Sequence, residues 1–462
     1  MASDADTVFD IVVLGGGSGG YACALRAAEL GMNVALIEKD KLGGTCLHRG
    51  CIPTKALLHA GEIADQTRES ESFGVKAALE GIDMPGVNSY KDGVVGRLHR
   101  GLQGLVKSRQ ITYVEGEGRL VSATAVDVGG TRYEGRHVVL ATGSVPKSFP
   151  GLDIDGEHII SSDHAVRLDR VPKSVVILGG GVIGVEFASV WKSFGADVTI
   201  VEMLPHLVPT EDEASSKLLE RAFRKRGVNF EVGAKFTGVE QTPGGVRVSL
   251  EGGKHVEAEL MLVAVGRAPV TQGLGYEEVG VTLDRGYVKV DGHCQTGVAT
   301  VSAVGDLIPT LQLAHVGFGE GILVAERLGG LNPVPIDYDG VPRVNFSNPE
   351  VASVGLTQQA AHERYGESNV EAISYDLAGN GKSQIKRTAG AVKVVRQKDG
   401  PVVGVHMVGA GVGELVSEAQ LIFNWEALPS DVAQLVHMHP TQSEAIGEAH
   451  LALAGKPLHA HG

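Results

Sequence analysis

Two stretches of this 462-residue sequence repeat one pattern 164 residues apart, and that repeat limits the folds open to the chain. The run Phe9–Leu14 (FDIVVL) leads into Gly15-Gly16-Gly17-Ser18-Gly19-Gly20; the run Ser174–Leu178 (SVVIL) leads into Gly179-Gly180-Gly181-Val182-Ile183-Gly184. Short apolar runs that stop at glycines read as buried strands. A helix is then expected over 21–30, closed by Gly31, and over 185–194, closed by Gly195. A second strand follows each helix, at 33–37 and 197–201, with an acid at its end, Glu38 or Glu202. Strand, G-x-G-x-x-G, helix, strand and acid suit a dinucleotide. Glycines let backbone approach a pyrophosphate, a helix N-terminus favours its charge, and the acid accepts from ribose hydroxyls. Two such sites are expected.

Each unit also has a later closing strand, at 137–140 before Ala141-Thr142-Gly143-Ser144 and at 260–263 before Ala264-Val265-Gly266-Arg267. The offset between these glycines is only 123, so the first unit is longer by 41 residues, and the insertion falls at roughly 46–105. Another strand at 299–304 ends in Gly305-Asp306. From residue 341 the texture changes. Asp399-Gly400 between two valine-rich runs reads as a hairpin turn, and helices are expected near 413–424 and 441–453. The fold class expected is α/β: two Rossmann-like dinucleotide-binding domains and a C-terminal α+β domain. Boundaries fall at 1–150, 151–270, 271–340 (a central segment) and 341–462, with Pro/Gly-rich linkers near Pro150 and at 332–342.

Charge narrows the partners. Lys and Arg number 41 against 55 Asp and Glu, a net charge of −14, which repels a phosphate backbone and argues against nucleic acid. No run of about 18 uncharged apolar residues is present, so no membrane span is expected. The first ten residues hold Asp4, Asp6 and Asp10 and no basic residue, unlike a secretory leader, and a cytoplasmic location is expected. The 64 glycines are about twice the usual ~7 % share, without a collagen period.

Four cysteines are no disulfide scaffold. Cys46 and Cys51 start the insertion, just after the first dinucleotide pattern. Pro53 marks a first helical turn, so Cys51 lies near a helix N-terminus, where a thiolate is favoured, and Lys55 adds positive charge one turn on. A redox dithiol and half of a metal site are both open to such a pair; no second Cys/His pair with metal spacing accompanies it, and no metal is expected. Cys23 and Cys294 read as structural. Near the C-terminus, Glu444 stands five residues after His439, where a carboxylate can fix an imidazole tautomer and raise its basicity. His437 reads as structural.

Gly43-Gly44-Thr45-Cys46 through Cys51-Ile52-Pro53-Thr54-Lys55, the paired glycine motifs, Gly305-Asp306, and His439-Pro440-Thr441 with Glu444 resemble the flavoprotein disulfide oxidoreductase family. The resemblance runs from Asp10 to about Lys456, and within the family it is strongest to the members that oxidise dihydrolipoamide. It implies FAD at the first unit: Gly15, Gly17 and Gly20 at the pyrophosphate, Glu38 at the adenosine ribose, Thr45 in contact, and Lys55 beside the flavin. Gly118, Thr142, Gly143 and Ser144 would line the site, Asp306 would hold the ribityl-pyrophosphate region, and Leu313, Ala314 and His315 would lie near the ring. It implies NAD at the second unit, on Gly179, Gly181, Gly184, Glu202 and Gly266, with Glu186 near the nicotinamide and Phe236 a further contact. Cys46 and Cys51 would form the redox disulfide, and His439 with Glu444 the acid–base dyad, donated across a homodimer with shared active sites. The implied partners are lipoyl domains of 2-oxoacid dehydrogenase complexes. The implied His439–Pro440 bond is cis. Where many members have Asn, two residues after the first cysteine, this chain has His48, then Arg49. Glutathione- and mycothione-type reductases are the nearest alternatives. A mercuric-type enzyme is disfavoured, because no cysteine lies near the C-terminus.

The segment Glu202-Met203-Leu204-Pro205 carries no Arg to meet a 2′-phosphate, and Glu202 would repel one. NAD is therefore expected to exceed NADP in kcat/KM by ~100-fold or more, about 3 kcal/mol. Steady-state rates with both nucleotides check this, and Glu202→Arg narrows the gap.

Overall fold

The structure, a computed structural model, describes residues 8–460; residues 1–7 of the acidic N-terminal stretch lie outside it. By its contacts the chain divides into two compact units. The first comprises residues 1–57, 85–147 and 266–338, and the second 58–84, 148–265 and 339–462.

In the first unit, five strands run parallel in the order Thr112–Glu115, Val34–Glu38, Phe9–Leu14, Thr131–Leu140, Val301–Ala303. Strand Thr131–Leu140 also carries an antiparallel extension, Ala125–Val128 and Gly118–Ser122. Ile11, Val12 and Val13 are fully buried, as expected of a parallel sheet covered on both faces. Helix Ser18–Glu29 follows the first strand and packs on helix Ala314–Leu328 at backbone distance. A Cβ at Gly321 would lie 2.3 Å from the Gly19 carbonyl oxygen, so only glycine permits that approach.

The second unit repeats the plan. Asn229–Glu231, Asp197–Val201, Ser174–Leu178, Leu260–Val263 and Ile159–Ile160 form a parallel sheet in that order. An antiparallel meander, Phe236–Thr242, Gly245–Leu250 and His255–Ala258, precedes the closing strand. The same unit holds a five-stranded antiparallel sheet in the order Arg343–Asn345, Glu350–Gly355, Val402–Gly409, Ala391–Gln397, Val370–Asp376. Helices Val412–Asn424 and Glu444–Leu453 pack on it through Val412, Val416, Ala445 and Ile446. Asp399 takes φ 56° in the expected hairpin turn. No helix among the described residues is long and apolar enough to cross a membrane.

Three expected helix starts move. The nucleotide-loop helices begin at Ser18 and Val182, three residues earlier than read, because the turn is completed by Gly15–Gly17 and Gly179–Gly181 alone. The last helix begins at Glu444 rather than 441. Thr441 is spent on a turn, its hydroxyl donating to the Met438 carbonyl at 2.6 Å and its N–H to Glu444 at 2.8 Å.

A polar seam within the second unit ties the nucleotide sheet to the antiparallel sheet. Asp212, 2 % exposed, accepts from Lys393 Nζ at 2.7 Å and from the backbone N–H of Ala214 and Gln358, each at 3.0 Å. Burial pushes the carboxyl up, but Lys393, His406 and the Gln358 N–H outweigh it and hold it below the usual range. A depressed carboxyl adds stability above its unfolded pKa, and that stability is lost as pH falls through the folded value. Lys393→Ala strands a buried charge and is expected to cost about 3–5 kcal/mol at neutral pH. Thermal midpoints should show the deficit at pH 7 and its shrinkage below about pH 4.

Candidate active site

The two glycine loops are built alike. A Cβ at Gly20 would lie 1.8 Å from the Gly15 carbonyl oxygen, and one at Gly184 would lie 1.9 Å from that of Gly179. Gly15 (φ 111°) and Gly179 (φ 109°) press in turn on the carbonyls of Ala141 and Ala264 in the closing strands. These four glycines are required by the backbone. The middle ones differ: a Cβ at Gly181 meets nothing within 4 Å, and one at Gly17 only Gly44 Cα at 4.0 Å. Gly143 and Gly266 are open in the same way. The helices behind the loops have Gly17 and Gly181 as N-caps and no side-chain cap, so no capping side chain takes up their first N–H groups.

Each acid clamps its own loop. Glu38 accepts from the N–H of Gly16 at 2.7 Å and of Asp40 at 2.8 Å; Glu202 accepts from Gly180 at 2.6 Å and Leu204 at 2.8 Å. The same four atoms recur 164 residues apart.

The redox loop leaves the first unit's nucleotide loop directly. Gly43 N–H donates to Gly16 at 2.8 Å, and a Cβ at Gly44 would lie 2.7 Å from Gly17 Cα. A short helix, Gly44–His48, carries Thr45 and Cys46; the next, from Cys51 to Glu69, opens on Cys51 with Lys55 one turn on. Cys46 and Cys51 are half-buried. The hydrogen bond to Cys51, burial and the charge of Cys51 push the Cys46 thiol up, against the pull of Lys55. His48 Nε2 bonds the Leu42 carbonyl at 2.9 Å and its ring stands edge-on to His99 at 4.9 Å, while Arg49 pairs with Asp40. Cys23 is buried in helix Ser18–Glu29 and its thiol is pushed up to about 12 by burial; Cys294 is buried as well.

Asp306 follows the strand Val301–Ala303 and accepts from the Ser144 hydroxyl at 2.5 Å; Arg267 Nε donates to that hydroxyl at 2.7 Å. Thr142 is held by the Val270 carbonyl at 2.6 Å. Gly118 packs on Leu14, Val126 and Ile37, within the core. Leu313 is the uncapped N-cap of helix Ala314–Leu328, and His315 is exposed on its first turn. Three of these supports carry no sequence signal. Arg267 sits beside a recognised glycine. Glu320, fully buried, takes the Gly305 N–H at 2.6 Å and the hydroxyls of Thr310 and Tyr338. Tyr21 has its phenol pushed up to about 12 by burial and then by Cys46 and Cys51.

In the second unit, His439 Nδ1 lies 2.9 Å from Glu444 Oε1, while Glu444 Oε2 accepts from the Thr441 N–H at 2.8 Å. Burial pushes the Glu444 carboxyl up; the Thr441 N–H, His439 and the charge of His437 outweigh it and lower it. An anionic Glu444 keeps the Nδ1 proton and leaves Nε2, on a ring 77 % exposed, free to accept one. The His439–Pro440 bond is cis. Glu186 is buried and accepts from the Phe346 N–H at 2.9 Å, and the Phe236 ring stacks on Phe149 at 6.4 Å.

The chain's similarities to known proteins agree with this geometry. The profile described as pyridine nucleotide-disulphide oxidoreductase matches residues 9–321, and that family's dimerisation domain matches residues 341–450. The chain belongs to the pyridine nucleotide-disulphide oxidoreductase family. Among the family's curated members, the dihydrolipoyl dehydrogenase of Bacillus subtilis is 40 % identical, covering 98 % of this chain and 99 % of its own. The mitochondrial dihydrolipoyl dehydrogenase of Pisum sativum is also 40 % identical, over 97 % of this chain and 92 % of its own. Of solved structures, LpdA from Mycobacterium tuberculosis superposes with TM-score 0.89 at 28 % identity, covering 96 % of this chain and 99 % of that one.

Gly17, Gly181, Gly143 and Gly266 keep open faces, the first two at helix ends without a side-chain cap, and such ends suit a phosphate. The glycine pairs are separable by experiment. Gly20→Ala should abolish soluble, folded protein, because the collision is with backbone. Gly17→Ala should fold with a native circular dichroism spectrum yet bind less flavin, since the methyl occupies ligand space.

Proposed function

We propose that the chain is a dihydrolipoyl dehydrogenase, which oxidises dihydrolipoamide to lipoamide and reduces NAD. The observation that carries the reading is the packing of Gly44 on Gly17, which fixes the Cys46–Cys51 pair against the first glycine loop. FAD is held there by Gly15, Gly17, Gly20 and Glu38, by Thr45 and Lys55 on the redox loop and its helix, and by Gly118, Thr142, Gly143, Ser144, Asp306 and the turn Leu313–His315. NAD is held at the second loop by Gly179, Gly181, Gly184, Glu202 and Gly266, with Glu186 and Phe236 at its margin. Relatives named for dihydrolipoyl chemistry, and the lack of Arg after Glu202, favour this over a glutathione- or mycothione-type reductase.

The substrate's first thiol attacks Cys46 Sγ in the oxidised pair; the Cys46–Cys51 bond breaks and Cys51 leaves as a thiolate. The second substrate thiol then attacks the substrate sulfur, which closes lipoamide and releases Cys46. His439 Nε2 accepts the proton that leaves the substrate, and Glu444 stabilises the imidazolium. The reduced pair keeps one proton, on Cys46, in keeping with the environment that pushes that thiol up. Bound FAD supplies the electron relay from the dithiol to NAD. His439 serves the disulfide of the other subunit, so the active unit is a homodimer with shared sites. Its macromolecular partners are lipoyl domains of 2-oxoacid dehydrogenase complexes.

His439→Ala should lower lipoamide activity by ~10²–10⁴-fold with flavin content unchanged. Cys46→Ser should abolish it. When these two inactive chains are refolded together, half the dimers are mixed, and each mixed dimer has one complete site. Activity should return to about a quarter of wild type. No recovery, with mixed dimers demonstrated by mass spectrometry, refutes the shared site.

A further inference from the structure

Three imidazole–carboxylate pairs converge on the helix Glu444–Leu453. His439 meets Glu444 at 2.9 Å, His437 meets Glu418 at 2.7 Å and His459 meets Glu448 at 2.8 Å. The middle pair is unused by the mechanism. Glu418 lies on helix Val412–Asn424, and His437 stands two residues before the base. The His437 side chain is 13 % exposed and lies on the helix face one turn beyond Glu444: a Cβ at Gly447 would be 2.6 Å from its Nδ1. Only glycine at 447 leaves room for the ring. His437 and Glu444 line one small surface pocket, together with Leu435, Glu448 and Leu458. The Glu444 carboxylate is thus bonded to one imidazole and faced by a second.

We propose that His437, clamped by Glu418, is a positioning residue that sets the proton affinity of His439 through the carboxylate both rings face. The proposal rests on the reading of His439 as the base. Glu418 raises the His437 imidazole above its ordinary value against burial, which favours its cationic form. Its charge offsets part of the Glu444 field at His439. Without that offset, the Glu444 carboxylate favours the imidazolium at His439 more strongly, and an imidazolium cannot accept a proton. The groups facing His437 are Glu418 from helix Val412–Asn424, Glu444 and His450 from helix Glu444–Leu453, and the Leu435 carbonyl. Around His439 stand Glu444 and, from helix Gly381–Lys386, Gly381, where a Cβ would lie 3.9 Å from the ring, with Lys382 next in the chain.

The test uses His437→Gln in the flavin-loaded dimer. In kcat/KM for dihydrolipoamide, the acid limb should move up by about one pH unit, with the alkaline plateau kept. Independently of turnover, acylation of His439 by diethylpyrocarbonate, read by peptide mass spectrometry against pH, should shift its midpoint upward by the same amount. Gly447→Ala, which evicts the ring without removing it, should shift that midpoint the same way and serves if His437→Gln fails to assemble. A uniform fall in kcat with both midpoints unmoved overturns the proposal. If His439→Ala keeps full activity, the reading of His439 as the base fails instead, while the acylation midpoint still decides the coupling.

Discussion

The Gly15 carbonyl oxygen occupies the place where residue 20 would carry its Cβ, and the Gly179 carbonyl does the same to residue 184. That contact draws each helix start onto its strand end and turns the helix's free N–H groups outward. The redox loop then reaches the first site through Gly44 on Gly17, and Glu38 and Glu202 tie the turns from behind with two N–H bonds each. In each loop the first and last glycines of the motif are fixed by the protein's own backbone, while Gly17 and Gly181 keep the space a Cβ would take.

The sequence made the duplicated frame legible because its constraints are local. Glycines at fixed spacing, an apolar strand and a terminal acid are all consequences of one turn, and strands Ser174–Leu178, Asp197–Val201 and Leu260–Val263 lie where the pattern puts them. The helix starts were read late because propensity discounts glycine within a first turn, although Gly19 and Gly20 are helical. Glu320, Arg267, Tyr21 and His437 carried no signal. Each acts through a partner distant in sequence or in a segment without periodicity, and nothing local to Glu320 announces that it holds the Gly305 N–H. The acids were read only as ribose acceptors, and their backbone clamps became visible with the fold. His48 and Arg49, departures from the family pattern, fasten the redox loop to Leu42, His99 and Asp40.

The electrostatics of the dithiol and the dyad are complementary. The hydrogen bond to Cys51, burial and the Cys51 charge favour the protonated form of the Cys46 thiol. The dyad keeps a proton on Nδ1 and exposes Nε2. Each group is prepared by an immediate neighbour, a second thiol in one case and an anchored carboxylate in the other, so neither depends on the net charge of −14.

The two parallel sheets are matched in order but not in the source of their last strand. The second takes Ile159–Ile160 from upstream and closes with Leu260–Val263; the first waits for Val301–Ala303. During synthesis from the N-terminus, the second sheet therefore has all its strands while the first still lacks its edge and the Asp306 turn behind it. The ribosome delivers the second sheet complete first, and the sheet that begins the chain is the later one to be finished.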